Sequence, residues 1–546
     1  MLNLILGKTP FVKTEYVRQL VAERAKNGER CIIIVPEQFS YETEKSMLDL
    51  VGAQNMLFVD VLSMTRLAQL ILSEHADPEE KPEADDGVKM MTMSLALEKL
   101  GDKLQIYRKY TARPQLIAEL VSFATELKQW TVSVDSLDEF SKNAKASSLK
   151  SKLDELVMIL SLYNTMLEKS YYNTDDKLTR LSSVLSDYRY FEDKIVAIDG
   201  FTRFTKQEYA VVDKIISQSP QTYITFDSDG GKDDYSLFAN NNRQVELLKS
   251  LANKSSVKIA PIKYVEADFV DNDVFKSLSD GAFSPEFTVP DVSCDGKIKI
   301  VSAPNKADEC EFVAMSIKRL MREKNIRCRD IAVLQRSEGS YDKELSSAFK
   351  RYGVPFYEDA RQAVANEPLA VYLTSLLEIA CNGLNTDVLM RHLKTGLSSL
   401  TADEISKLEN YAFVWRISSA QWRNDFTENP SGFGYKLSDF DRNTLRYLNS
   451  LREKAVAPVL AFKDDFSQAE NEKKAEVIYD YLIKNSIDKK LKRLSDELLK
   501  GGKTALSQEQ DAVWRLVIDM LDKLWNTCKQ SNISDKRFYE LFNILL

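Results

Sequence analysis

Residues 2–14 read Leu-Asn-Leu-Ile-Leu-Gly-Lys-Thr-Pro-Phe-Val-Lys-Thr. The apolar run before Gly7 has the length of a strand, and the residues that follow carry apolar side chains at helical spacing, which predicts a strand, a loop and a helix. The stretch has the frame of a phosphate-binding P-loop, G-x-x-x-x-G-K-[ST], with Gly7, Lys13 and Thr14 in place and Val12 where the second glycine belongs. We therefore predict that the chain begins with a degenerate P-loop.

This loop is expected to bind nucleotide poorly. Pro10 has no N–H to offer to a phosphate, and Val12 carries a branched side chain where glycine normally allows a tight turn. Losing one donor to a charged acceptor costs about 1.5–3 kcal/mol, and a left-handed backbone at Val12 would add about 1–2 kcal/mol. The sum weakens ATP binding roughly a hundredfold or more, which predicts a remnant nucleotide site. An ordinary strand, turn and helix start is the alternative that this stretch alone leaves open.

Composition excludes several classes of protein. The 546 residues are 44% hydrophobic and 29% charged, enough for roughly three or four structural units. No apolar run approaches a membrane span and no N-terminal signal pattern is present, so we expect a cytoplasmic protein without a membrane partner. The net charge of −8 would confine any DNA contact to a groove. Six cysteines without C-x-x-C spacing and only two histidines favour reduced thiols, no metal site and no catalytic triad.

The same strand-loop-helix order recurs along the chain. Strand-like runs are followed by loops and helical patterns, which predicts a parallel sheet whose functional loops lie at the carboxyl ends of the strands. These runs are 31–35, 57–61, 194–198 and 222–226. Beyond a linker rich in Asp, Ser, Pro and Gly, further strands are predicted at 297–301 and 331–334. The pattern is then helical to residue 546 without a stop signal, so we expect a truncated protein.

Asp199 follows the buried run 194–198 and has the form of a Walker B acid, placed to hold Mg²⁺. The next residue is Gly200, where helicases normally carry the glutamate that activates water. Glycine neither accepts a proton nor orients a water molecule. Because this departure is independent of the one in the P-loop, we expect no ATP hydrolysis and no catalytic residue in this chain.

Four predicted loops, at 7–14, 36–41, 62–66 and 199–205, should share one edge of the sheet. They carry amide, guanidinium and aromatic groups, which suit base edges, phosphates and base stacking in single-stranded DNA. The residues concerned are Gln38, Ser40, Arg66, Phe201, Arg203 and Phe204. The alternative places both phenylalanines in the core and Arg66 in a surface ion pair, and composition alone favours that alternative.

Seven short motifs occur in one order along nearly the whole chain. They are Leu-Gly…Lys-Thr at the start, Val-Pro-Glu-Gln (35–38), Leu-Ser-Met-Thr-Arg-Leu (62–67), Ile-Asp-Gly-Phe-Thr-Arg-Phe-Thr (198–205), Arg-Asp-Ile-Ala-Val-Leu (329–334), Leu-Lys-Thr-Gly-Leu (393–397) and Leu-Glu-Asn-Tyr (408–411). Each motif is weak alone, but together they are specific. The set resembles the B subunit of the AddAB (RexAB) helicase-nuclease.

The resemblance implies an α/β fold with two RecA-like, superfamily 1 helicase-like parallel-sheet domains that carry large α-helical insertions. The first RecA-like domain would be divided by a helical insertion, and a linker would separate it from the second. The implied segments are 1–77 and 191–265 for the first domain, 78–190 for its insertion, 266–296 for the linker, 297–367 for the second domain and 368–546 for a mainly helical, truncated region.

The resemblance also implies a function. In that family the helicase half of the B subunit is not the motor; it accompanies a motor/nuclease A subunit and scans single-stranded DNA for the Chi signal during double-strand break repair by homologous recombination. By motif match, the residues that fall where relatives contact Chi bases are Gln38, Ser40, Met64, Arg66 and Phe201 or Phe204. The P-loop match carries Lys13 and Thr14. No cofactor is expected in this portion beyond weakly bound Mg-ATP, because the family's nuclease and iron-sulfur cysteines would lie beyond residue 546.

The chain departs from the family at its predicted DNA site as well. Met64 stands where an aromatic residue is usual and Gln69 where some relatives carry tryptophan, so the recognised DNA sequence is expected to differ. Two other functions stay open at this point. The first is an active ATP-dependent helicase that uses Lys13, Thr14 and Asp199, and the second is a scaffold that only holds the A subunit.

Overall fold

A computed structural model describes most of the chain. The described residues are 1–75, 81–111, 113–231, 237–267, 273–281, 293–294, 296–337, 339–358, 364–528 and 533–546. They form two compact units, one comprising Met1–Glu266 with Ala363–Leu546 and the other Ala267–Gln362. Most of the predicted linker, 266–296, lies outside the described residues.

A six-stranded, all-parallel sheet organises the first unit. The strands in chain order are β1 (Leu2–Gly7), β2 (Cys31–Ile34), β3 (Val59–Leu62), β4 (Glu83–Ala84), β5 (Tyr172–Asn173), β6 (Ile195–Ile198), β7 (Thr222–Asp227) and β8 (Lys263–Tyr264). The sheet order is β3-β2-β6-β7-β1-β8, while β4 and β5 pair separately. The predicted α/β class with a parallel sheet is confirmed. The carboxyl ends of its strands, where we expected the functional loops, share one edge.

Helices cover both faces of this sheet, which explains why β2 and β6 are buried at every position. The helices up to residue 254 are α1 (Pro10–Lys26), α2 (Ser40–Asn55), α3 (Met64–Glu74), α4 (Asp86–Leu100), α5 (Pro114–Gln129), α6 (Val134–Asn143), α7 (Ser147–Ser170), α8 (Lys177–Asp187), α9 (Lys206–Gln218) and α10 (Ala239–Lys254). Helices α1 and α2 pack on one face, and α3, α8, α9 and α10 pack on the other.

The second unit contains α11 (Asp273–Gly281), α12 (Lys306–Lys324) and α13 (Asp342–Tyr352). The strands predicted at 297–301 and 331–334 are wrong, because neither segment is paired as a strand among the described residues. Ile300 and Leu334 are almost fully exposed. The recurring α/β order suggested strands here, but a strand forms only where a neighbour supplies backbone hydrogen bonds.

The helical insertion and the C-terminal helices share a hydrophobic core. The C-terminal helices are α14 (Pro368–Asn382), α15 (Thr386–Leu393), α16 (Ala402–Val414), α17 (Asp439–Gln468), α18 (Lys474–Lys484), α19 (Ile487–Lys500), α20 (Thr504–Cys528) and α21 (Asp535–Leu545). One cluster of buried residues extends from Ala84 in the insertion to Phe542 in α21. The buried guanidinium of Arg537 donates to the carbonyl of Ser94 at 2.9 Å and to its hydroxyl at 2.5 Å. The two segments therefore pack as one helical layer.

None of the described helices combines the length and the apolar character needed to cross a membrane.

Candidate functional site

Lys13 of the P-loop frame is buried and fully hydrogen-bonded. Its ammonium donates to the backbone carbonyls of Gly7 and Thr9, each at 2.9 Å, and lies 2.8 Å from a carboxylate oxygen of Asp227 at the end of β7. The side chain is only 2% exposed. A lysine ammonium has three protons, so these three acceptors use its donor capacity. An incoming phosphate would have to displace the carboxylate of Asp227.

The connection between β1 and α1 is shorter than the P-loop frame implies. Helix α1 begins at Pro10, which leaves only Lys8 and Thr9 between strand and helix. Val12 is therefore helical, and the strain considered for a left-handed backbone at this position does not arise. The backbone nest that cradles phosphates in a P-loop is largely replaced by the first turn of the helix.

Gly7 is required by the sheet and not by a phosphate. A side chain at this position would place its Cβ 1.9 Å from the carbonyl oxygen of Val265, which follows the neighbouring strand β8. The amide of Val265 donates to the carbonyl of Leu6 at 2.7 Å, and this bond holds the two backbones together. The close approach of these two backbones therefore explains why the first residue of the motif is glycine.

Asp199 lies where the Walker B pattern placed it, at the end of β6, and is buried. Its carboxylate accepts a hydrogen bond of 2.5 Å from the hydroxyl of Thr225 on the adjacent strand. Gly200 has a φ of +79°, and a side chain there would contact Pro36 and Phe39. A glutamate at position 200 would therefore be strained by its backbone conformation.

The residues present do not fit a catalytic Mg-ATP site. Lys13 is bonded within its own loop, Pro10 supplies no N–H, and Gly200 supplies no carboxylate.

Three of the four predicted loops line one cavity of about 870 Å³ at the carboxyl edge of the sheet. The loop at 7–14 contributes Lys13 and Thr14, the segment after β2 contributes Gln38, and the segment after β6 contributes Phe201 and Arg203. The predicted convergence of these loops is therefore present in the fold. The cavity combines an amide, a guanidinium and an aromatic ring.

The fourth loop lies beside this cavity. Ser63 caps α3 by accepting a hydrogen bond from the amide of Arg66 at 3.2 Å. The exposed guanidinium of Arg66 lies 3.7 Å from a carboxylate oxygen of Glu37. This surface ion pair matches the alternative interpretation of Arg66, but pairs at this degree of exposure are weak and release the cation easily.

The seven predicted DNA contacts differ in accessibility. Gln38, Arg66 and Arg203 are exposed, and Phe201 is half-buried. Three others are buried, namely Ser40, Met64 and Phe204.

The ring of Phe204 is only 1% exposed and packs edge-on against Phe226 and Tyr209, with ring centroids 5.6 and 5.4 Å apart. It cannot stack on a base without leaving the core. Met64 belongs to the same core. Phe201, whose ring centroid is 5.2 Å from that of Phe204, is the accessible ring of the pair.

Comparison with known families decides the identity of this fold. The family model described as "ADDB, N-terminal" matches residues 4–279, just over half of the chain. The chain belongs to the AddB family. A second model, the UvrD-like helicase C-terminal domain, matches residues 265–545 and supports a helicase-like fold.

Similar proteins are named as the B subunit of an ATP-dependent helicase/deoxyribonuclease. The one from Caldanaerobacter subterraneus subsp. tengcongensis is 27% identical, with 100% of this chain and 48% of the relative covered. One from Thermoanaerobacter sp. is also 27% identical over the same shares. One from Clostridium botulinum is 26% identical, with 99% and 48% covered. The chain spans about half the length of the curated relatives it matches.

Sequence reasoning missed several residues of this AddB-family site. Asp227 pairs with Lys13, and Thr225 donates to Asp199. The available signal was the acidic residue that directly follows the predicted strand 222–226. Arg18 lines the cavity and donates to the hydroxyl of Thr43 at 3.0 Å. Its helical position gave no indication that it faces the strand ends.

Proposed function

We propose that this AddB-family chain is a non-motor, DNA-binding portion of the B subunit of a helicase-nuclease that processes double-strand breaks for homologous recombination. It binds single-stranded DNA at the carboxyl edge of its sheet, as Chi-type recognition requires. The observation that carries this proposal is the ion pair between Lys13 and Asp227 beside an open cavity lined by Gln38, Phe201 and Arg203. The phosphate-binding lysine is bonded internally, while the groups suited to DNA stay accessible.

The proposed non-motor role rests on the groups that ATP hydrolysis needs. A P-loop lysine stabilises the transferring phosphate, and a carboxylate positions the attacking water. Here Lys13 is neutralised by Asp227, and Gly200 stands in place of the carboxylate. Any residue other than glycine would be strained at position 200, so the conformation of this loop requires glycine there. These two features support a protein that accompanies a motor.

DNA binding is supported by the chemistry of the cavity lining. The amide of Gln38 matches the donor and acceptor pattern of base edges, and the guanidinium of Arg203 suits a phosphate. The rings of Phe39 and Phe11, both exposed at the same cavity, add stacking surfaces beside Phe201. A cavity of about 870 Å³ has the volume of a small-molecule site, enough to receive an extruded base.

The partner follows from the name of the relatives. A protein named as a B subunit functions in a complex with another chain, and we propose that this chain associates with the motor/nuclease A subunit in the cytoplasm. We further propose that Arg66 belongs to the DNA surface, because its pairing with Glu37 is exposed and exchangeable.

Fluorescence anisotropy with a labelled single-stranded oligonucleotide tests this function. We expect Gln38→Ala/Arg203→Ala to weaken binding roughly tenfold or more, since each lost base or phosphate contact costs about 1–3 kcal/mol. Arg189→Ala is the matched control, because Arg189 is an exposed arginine in a surface ion pair with Glu192. Equal affinity of the double variant and the wild type would contradict the proposed site.

A further inference from the structure

Exposed aromatic rings cluster between the end of α16 and the start of α17. Phe433, Tyr435 and Phe440 are 73%, 70% and 76% exposed. The indole of Trp415 lies against Phe433, with ring centroids 4.2 Å apart. Single exposed apolar side chains are ordinary on a protein surface, but several large rings on one short stretch mark an interaction site. We call this set of rings the aromatic surface.

A cavity of about 500 Å³ lies at this aromatic surface. Aromatic and polar side chains line it together, among them Trp415, Phe440, Tyr447, Asn410, Asn443 and Thr444. Tyr447 also lies under the ammonium of Lys407, 5.8 Å from the ring centroid. The core of a protein–protein interface is depleted in charged groups, whereas this cavity mixes rings with amides and a cation.

Hydrogen bonds hold the loop that carries these rings. The indole N–H of Trp415 donates to the carbonyl of Asn429 at 3.1 Å, and the Asn429 amide donates to the carbonyl of Tyr435 at 3.0 Å. The hydroxyl of Ser431 donates to buried Asp441 at 2.6 Å. Because the loop is already ordered, a ligand would lose little affinity to ordering it.

Cations without carboxylate partners occur along the same stretch of chain as the aromatic surface. Five exposed basic side chains form no ion pair among the described residues, namely Arg416, Arg423, Lys436, Arg442 and Arg446. The neighbouring carboxylates are mostly engaged: Asp425 pairs with Arg452, Glu409 with Lys394 and Asp403 with Lys407. Exposed Glu428 and Asp439 form no ion pair in the described part of this stretch. Residues 411–447 carry five basic and four acidic side chains, a net charge of +1 in a chain of net charge −8.

We propose that the aromatic surface is a second contact for single-stranded DNA, separate from the cavity at the sheet edge. Bases would stack on Phe433, Tyr435 and Phe440 while phosphates meet the neighbouring cations. Rings that alternate with cations and amides are the composition of single-strand binding sites. That the strand is DNA rests on the function proposed above, whereas the surface itself is argued from its own residues.

Photo-crosslinking of the unaltered chain tests the location. An oligothymidylate carrying 5-iododeoxyuridine is irradiated with the protein, and crosslinked peptides are identified by mass spectrometry. We expect crosslinks within residues 411–447 in addition to those near residues 36–41 and 199–205. Crosslinks confined to the latter two segments would overturn the inference and leave the proposed function intact.

Anisotropy of variants tests the energetics. We expect Phe433→Ser/Phe440→Ser to weaken oligothymidylate binding roughly tenfold or more, because a base stacked on an aromatic ring contributes about that factor. The matched control is Phe140→Ser, which removes a ring that is 62% exposed in α6. Circular dichroism checks that each variant is folded.

The outcomes separate this inference from the proposed function. A loss in Phe433→Ser/Phe440→Ser but not in Gln38→Ala/Arg203→Ala supports the aromatic surface and contradicts the cavity at the sheet edge. Unchanged DNA affinity with weakened association to the A subunit overturns the inference and identifies a protein-docking surface. No binding of oligothymidylate by the wild-type chain overturns both.

Discussion

The ammonium of Lys13, the lysine of the P-loop frame, lies 2.8 Å from a carboxylate oxygen of Asp227. The lysine is almost fully buried and Asp227 is 30% exposed. The pair joins the first turn of α1 to the end of β7. The lysine of the P-loop frame is therefore paired with a carboxylate of the protein itself.

Removing the carboxylate of this pair is expected to destabilise the fold. Asp227→Asn leaves a buried ammonium without its counter-charge, which costs on the order of 3 kcal/mol in free energy of unfolding. Urea unfolding followed by circular dichroism measures the loss. Asp193→Asn is the control, because the exposed pair of Asp193 with Arg30 should contribute less than about 1 kcal/mol. Equal losses in the two variants would show that the Lys13 pair is no stronger than a surface pair.

A glutamate at position 200, where helicases carry one, is expected to lower the stability of the protein without producing ATP hydrolysis. Gly200→Glu forces a residue with a β-carbon into a φ of +79°, at a cost of about 1–2 kcal/mol. The Cβ would lie at ordinary van der Waals distance from Pro36 and Phe39, so the cost comes from the backbone. We expect a lower thermal midpoint and no phosphate release from Mg-ATP. The appearance of DNA-dependent turnover in this variant would mean that a single residue separates the chain from a motor.

Glu155 is a buried carboxylate that anchors the helical insertion. It accepts hydrogen bonds from the backbone amides of Gln105, Ile106 and Tyr107 at 2.7 to 3.2 Å. We expect Glu155→Gln to lower the free energy of unfolding by about 2–3 kcal/mol, because charge-assisted bonds are lost and an amide NH₂ faces backbone donors. Urea unfolding measures this effect.

The exposed residue Glu139 in α6 offers the control for that experiment. Glu139→Gln should change the stability by less than about 0.5 kcal/mol. A comparable loss in both variants would argue against the anchoring role of Glu155.

His392 is expected to make stability depend on pH. Burial lowers the pKa of His392 from 6.5 to about 4, and nearby Lys490 acts in the same direction. The folded state keeps the ring neutral while the unfolded chain binds a proton below about pH 6.5. The neutral ring therefore makes its full contribution to the free energy of unfolding above pH 6.5. This contribution falls by about 3 kcal/mol as the pH drops towards 4.

Urea unfolding between pH 7 and 4 checks this dependence. The ring of His392 stacks on Tyr372 with centroids 4.0 Å apart, so His392→Phe keeps the stacking and removes the titration. We expect the free energy of unfolding of the wild type to fall by about 3 kcal/mol relative to that of His392→Phe between pH 7 and 4. Parallel curves for wild type and His392→Phe would refute the assignment.

The sheet was predictable because most of its longer strands are short apolar runs that can be recognised in the local sequence. Runs such as Cys31–Ile34 are apolar at each position, which is typical of strands covered on both faces. Strand β8 was not predicted, since it has only two residues, Lys263 and Tyr264, both exposed. It exists because its backbone pairs with Ile5 and Leu6. Long-range pairing of this kind leaves no local pattern.

The packing of the helical segments against each other was harder to predict from the sequence. The insertion and the C-terminal helices were predicted as separate segments, yet Arg537 bonds to Ser94 across 443 positions. At the site, strand-end position predicted the convergence of Lys13 with Asp199 but not which phenylalanine is buried. Phe204 enters the core because Phe226 on β7 meets its ring, and only the folded chain reveals that contact.

The most direct test of the account measures DNA binding and ATP turnover in the same sample. The chain is titrated with labelled single-stranded DNA until anisotropy saturates, and phosphate release from Mg-ATP is then followed for the wild type and Lys13→Ala. We predict saturable DNA binding with no phosphate release above background in either protein. Turnover by the DNA-bound wild type that Lys13→Ala abolishes would contradict the account.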